Sequence, residues 1–145
     1  MVILQIKVRI LTQLVRFSYP CKVEVQLTNR SINAVLINRR LAMGYRDSDA
    51  RELFAEVFKR ESDEVISEEA LLYNRDFSQT DDYVWLAPGQ SVSTFFDLFE
   101  WYSLPGPGEY DLIVYYQADE PLAAKPANLL PGVYVSERIA FSVTP

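Results

Sequence analysis

The chain has 145 residues, 49% of them hydrophobic, with 14 Lys and Arg against 20 Asp and Glu, a net charge of −6, no histidine and one cysteine, Cys21. These counts suit one domain, residues 1–145, with a sizeable core. They exclude every Ser-His or Cys-His nucleophile, any zinc site built on imidazole, and any disulfide within the chain.

Met1 to Ile10 alternates in character. Val2, Leu4, Ile6, Val8 and Ile10 share one face and Gln5, Lys7 and Arg9 the other, which is the period of a half-buried strand. The same polar residues break up any secretory signal, and no stretch approaches the roughly 18 apolar residues of a membrane span. No membrane partner is expected, and with a lone cysteine the cytoplasm is the expected compartment. An acidic chain without a basic block is equally ill-suited to phosphate backbones, so no nucleic-acid partner is expected.

Val23, Val25 and Leu27 form the face of a second strand, closed by the turn signal Asn29-Arg30-Ser31. Ala34 to Met43 is a third apolar run, ending at Gly44. Asp49-Ala-Arg-Glu52 reads as a helical capping box followed by Leu53, Phe54, Val57 and Phe58 at helical spacing. The same residues also read as a strand, and the surrounding sheet favours the strand. Glu61 to Asp82 is polar and acidic, with room for a helical turn near Glu68 to Leu72. Tyr83 to Leu86 stops at Pro88-Gly89, a turn in which proline presets φ and glycine accepts a positive one. Val92, Thr94, Phe96 and Leu98 share a face, as do Tyr110, Leu112, Val114 and Tyr116. Val133, Val135, Ile139, Phe141 and Val143 form a last face, interrupted only by Glu137. Short alternating runs between turn signals predict an all-β, antiparallel β-sandwich of about seven to nine strands, with at most one short helix.

The segments Leu86-Ala-Pro-Gly-Gln-Ser-Val92, Phe96-Asp-Leu98, Tyr102-Ser-Leu104 and Pro107-Gly-Glu-Tyr110 fall in a recognisable order. Val25-Gln-Leu-Thr-Asn-Arg-Ser31 and Gly132-Val-Tyr-Val-Ser-Glu-Arg-Ile139 agree with it. The pattern resembles the immunoglobulin-like accessory domains of deuterolysin-type and lysine-specific metalloendopeptidases, and the small bacterial intracellular proteinase inhibitor domain. That resemblance covers about Cys21 to Val143 and implies an immunoglobulin-like sandwich in which Leu53 to Phe58 is a strand. The histidines that a metalloendopeptidase catalytic domain needs are absent from these 145 residues, so no such activity is expected of them. Gly108-Glu-Tyr110-Asp-Leu112 further matches a tyrosine corner, with Leu112 where antibody domains carry a cysteine.

Carboxylates are the densest catalytic candidates: Asp47, Asp49 and Glu52; Asp63, Glu64, Glu68 and Glu69; Asp81 and Asp82. Nothing fixes a pair of them at a hydrolytic separation, and their expected state is that of solvated turn charges. Their spacing matches no calcium loop, so neither metal nor cofactor is expected. Trp85, Trp101 and Tyr102 are candidates for a sugar platform or for packing. Cys21 lacks a base and reads as buried.

The connection Asp119 to Pro131 is long for a hairpin, holds three prolines, and carries Leu122, Leu129 and Leu130. These leucines are the candidate binding residues: they either dock a partner or fold down to seal the core. The expected function is a non-enzymatic protein-interaction module, inhibitor-like or accessory, with another protein as partner. The partner would engage end loops or add a strand to an open sheet edge, which also leaves a route to a homo-oligomer. A carbohydrate-binding sandwich is the alternative.

Overall fold

The computed structural model describes residues 3–119 and 128–145. In chain order the strands are β1 Leu4–Ile10, β2 Lys22–Asn29, β3 Val35–Asn38, β4 Met43–Gly44, β5 Leu53–Lys59, β6 Glu68–Glu69, β7 Tyr83–Leu86, β8 Ser91–Asp97, β9 Tyr102–Ser103, β10 Gly108–Gln117, β11 Val133–Val135 and β12 Ile139–Val143. A 3₁₀ turn at Thr80–Asp82 and one four-residue helix, α1 Leu98–Trp101, complete the described residues. The fold is all-β, as the alternation predicts. The added strands β4, β6 and β9 have two residues each, too few to show a period of two.

Alternation turns directly into layers. In the first sheet, ordered β1-β2-β8, Ile6 faces Leu27 and Val8 faces Val25, while Val23 lies opposite Phe96, all antiparallel. In the second, β10 pairs with β5 along one edge and with β12 and then β11 along the other, and β4 adds to β5 in parallel. Its inward row sets Leu112 against Val57, Val114 against Ala55 and Tyr116 against Leu53. Val23, Val25, Leu27, Leu53, Val57, Leu112 and Val114 are wholly buried in one cluster between the two rows. Each such side chain contributes about 1.5–3 kcal/mol relative to exposure.

Leu53 to Lys59 is a strand, so the sheet outweighs the helical spacing. The Tyr110 hydroxyl donates to the Gly106 carbonyl, closing the tyrosine corner. Four local expectations change. The acidic stretch places a two-residue strand at Glu68–Glu69 where a helical turn had room, and the helix is Leu98–Trp101, capped by the Asp97 side chain. The Ala34 to Met43 run breaks into β3 and β4 around Leu41, whose φ is +50°. The last face is not one face: Val133 and Val135 are exposed, whereas Phe141 and Val143 are buried. Ser136 donates its N–H to the Val114 carbonyl and accepts the Val114 N–H on Oγ, and Ile139 next pairs with Leu112. Two residues, Glu137 and Arg138, therefore stand opposite Ile113 alone, and this bulge shifts the phase by one. Fourth, Glu52 is buried rather than solvated. No helix among the described residues is long and apolar enough to cross a membrane.

Candidate functional site

The first sheet ends at β8, and the direction of its free hydrogen-bonding groups follows from the ladder. Leu98 donates its N–H to Cys21 and Asn29 donates to Gln90, so the bonded pairs between β2 and β8 run through Leu98, Phe96, Thr94, Val92 and Gln90. Antiparallel pairing alternates, so the N–H and C=O of Ser91, Ser93 and Phe95 point away from β2. Among the described residues nothing pairs with that edge. From Ser91 to Phe96 the strand carries neither charge nor proline, the devices that normally blunt an edge. The opposite edge strand, β1, alternates its apolar residues with Gln5, Lys7 and Arg9.

A groove of about 590 Å³ runs beneath this edge. One wall is Thr94 to Asp97 on β8 and the other is Arg40 to Met43, with Leu53 and Trp101 also lining it. The second wall is where β3 breaks. Leu41 is held in the left-handed region, a strained conformation for a leucine, yet its side chain is only 3% exposed. Glu52 over-determines this wall. Its carboxylate is wholly buried and accepts Arg40 Nε at 2.8 Å, Arg40 Nη2 at 2.5 Å and the Ala42 N–H at 3.0 Å. Its own N–H and that of Leu53 both reach back to the Ala42 carbonyl. Arg40 also donates to the Asp76 carbonyl, and Ser78 Oγ lies 3.3 Å from the second Glu52 oxygen.

The far end of the groove is set by α1. Asp97 Oδ1 accepts the Phe99 N–H at 3.2 Å and the Cys21 N–H at 2.9 Å, tying the helix start to β2. Trp101 is backed by Tyr45 and Tyr73 in edge-to-face contact, and the Arg75 guanidinium lies over both Tyr73 and Trp101. The Tyr102 hydroxyl accepts the Ala55 N–H, and burial pushes its pKa well above the usual tyrosine range. At the mouth the Lys22 ammonium sits 4.3 Å from the centre of the exposed Phe95 ring. Glu100 is exposed there and forms no ion pair among the described residues.

The structure scatters the candidates read from the sequence. Leu122 lies outside the described residues. Leu129 and Leu130 are half-buried, Leu129 bridged to Leu36 of β3 and Leu130 packed on the core. Trp101 is buried, whereas Trp85 is 57% exposed. Cys21 is a buried free thiol, its pKa pushed up to about 11 by burial and then by Asp97. Asp47, Asp49, Asp63, Glu64, Glu68, Glu69 and Asp81 are exposed and Asp82 half-exposed, in keeping with solvated charges. No three Cys, Asp or Glu side chains converge as a metal set among the described residues. Sequence reasoning missed both the open edge and the groove; the uncharged run Ser91 to Phe96 was a legible signal for the edge alone. No protein-family model matches the chain, and no curated protein is significantly similar to it.

Proposed function

We propose that this chain is a non-enzymatic protein-interaction module, an accessory or inhibitor-like sandwich of the immunoglobulin-like type. It takes an extended segment of another protein as an added strand on β8. The observation that carries this reading is the edge of β8, uncharged from Ser91 to Phe96 and unpaired among the described residues, lying over a groove floored by Leu41, Met43, Phe96 and Trp101. An added strand satisfies the outward groups of Ser91, Ser93 and Phe95, and its alternate side chains enter the groove. The immunoglobulin-like assignment is supported by the grouping of β1, β2 and β8 against β5, β10, β11 and β12, and by the Tyr110 corner. The non-enzymatic assignment is supported by Cys21, a buried thiol with a raised pKa, and by the solvent-exposed positions of Asp47, Asp49, Asp63, Glu64 and Asp81.

Ser93→Pro tests this reading, because it deletes an outward N–H and leaves the β2 ladder whole. In affinity capture from cells that express the protein, the wild-type chain is expected to retain a polypeptide that Ser93→Pro releases. Equal retention by both chains would overturn the strand-addition reading.

Carbohydrate binding is a second reading, favoured by the exposed ring of Trp85. It requires an oligosaccharide affinity that Trp85→Ala abolishes and Ser93→Pro leaves intact.

A further inference from the structure

With β8 as the docking edge, the charges around the groove define the occupant, whose identity therefore rests on the strand-addition reading. Arg40 is neutralised by Glu52. Among the described residues Lys22 is then the one other cation lining the groove, and it lies over Phe95. At the end where β8 runs into α1, the groove is lined by Asp97 and Glu100. Just beyond α1, Ser103 and Tyr102 of β9 pair with Glu68 and Glu69, both exposed. Glu68, Glu69 and Glu100 make no ion pair among the described residues. Lys22 stands opposite Asp97 at this end, so Asp97, Glu100, Glu68 and Glu69 outnumber one cation there and the end carries an excess of acid, on a chain of net charge −6.

The first sheet is antiparallel throughout, so a strand that continues it runs opposite to β8 and brings its N-terminal end to this acidic corner. Period two then divides its side chains. Every second one points down towards Leu41, Met43, Phe96 and Trp101, and the others lie on the outer face beside Phe95. We infer that the occupant is an extended segment of a second protein, apolar at alternate positions, with a Lys or Arg at its N-terminal end against Asp97 and Glu100.

The β8 edge of a second copy does not meet that requirement. Outward groups sit on the odd-numbered residues of β8, so self-pairing sets Gly89, Ser91 or Ser93 of the other copy opposite Asp97. Neither β8 nor the preceding turn 87–90 contains a Lys or Arg.

The test displays random heptapeptides to the immobilised whole chain, with the Ser93→Pro chain as counter-selection. Retained peptides are expected to alternate apolar with polar residues and to carry Lys or Arg in their first two positions. A synthetic consensus peptide should bind about ten-fold more weakly to Ser93→Pro, and about three-fold more weakly when its Lys is changed to Glu. Glu100→Lys, an exposed substitution, should reverse that last preference. Alternating peptides that depend on Ser93 but show no basic bias, or an acidic one, overturn the inference and leave β8 docking standing. Retention of no peptide, or equal retention by Ser93→Pro, overturns both. Self-association of the wild-type chain that Ser93→Pro abolishes assigns the edge to a second copy and overturns the inference.

Discussion

Glu52 has the least solvent contact of any acidic side chain in the described residues, and its surroundings explain why it is tolerated. Two guanidinium nitrogens, a main-chain N–H and a serine hydroxyl meet its two oxygens. Removing one member of such a pair leaves the other charge buried without compensation, which costs about 3–5 kcal/mol. Glu52→Ala should therefore lower the free energy of unfolding by about 3 kcal/mol or more in urea titrations. A loss below about 1 kcal/mol would show that Arg40 finds water as easily as it found Glu52. The residue was not legible as a buried acid. Asp49-Ala-Arg-Glu52 reads as a capping box and Glu52 as a solvated turn charge, and the partners that bury it come from Arg40, Ala42 and Ser78, which no local pattern connects. Tyr110 was legible, because the corner is a local device: its hydroxyl reaches only four residues back.

At the scale of elements, strands such as β1, β2, β8, β10 and the four-residue β7 were readable, and the two-residue β4, β6 and β9 were not. β1, β2 and β10 bury the rows their sequences mark as apolar, and β8 buries Phe96 and half-buries Val92 and Thr94, because one face of each packs on the opposite layer. The last face failed at Ser136, where one extra residue inverts the phase without any glycine or proline to announce it. The break after β3 was hidden in the same way, since Leu41 takes a glycine-like conformation inside an apolar run. The groove depends on that break, so it could not be read from the strand pattern either. The parity of β8 makes a sharp prediction about stability. Thr94→Pro removes a bond of the ladder to Val25 and should destabilise the chain by about 3 kcal/mol. Ser93→Pro, one residue away, should leave the thermal midpoint nearly unchanged. If Ser93→Pro melts below Thr94→Pro, the outward and inward groups have been assigned the wrong way round, and equal melting would show that neither proline breaks a ladder bond.

Across the whole molecule, the two layers solve their edge problem differently. The second layer closes one side of β10 with two successive strands and follows β5 with the short parallel β4. The first layer ends in β1, which carries Lys7 and Arg9, and in β8, which carries no charge until Asp97. An edge of that kind either templates aggregation or is kept for a partner, and the groove under it gives an added strand somewhere to place its side chains. The net charge of −6 adds a long-range bias towards cationic segments, strongest at low salt. The most direct test of the open edge is residue-resolved amide hydrogen exchange on the free chain. Fast exchange is predicted at Ser91, Ser93 and Phe95, alternating with slow exchange at Val92, Thr94 and Phe96. Uniformly slow exchange along β8 would contradict an open edge, because the strand would then already be paired in the free protein.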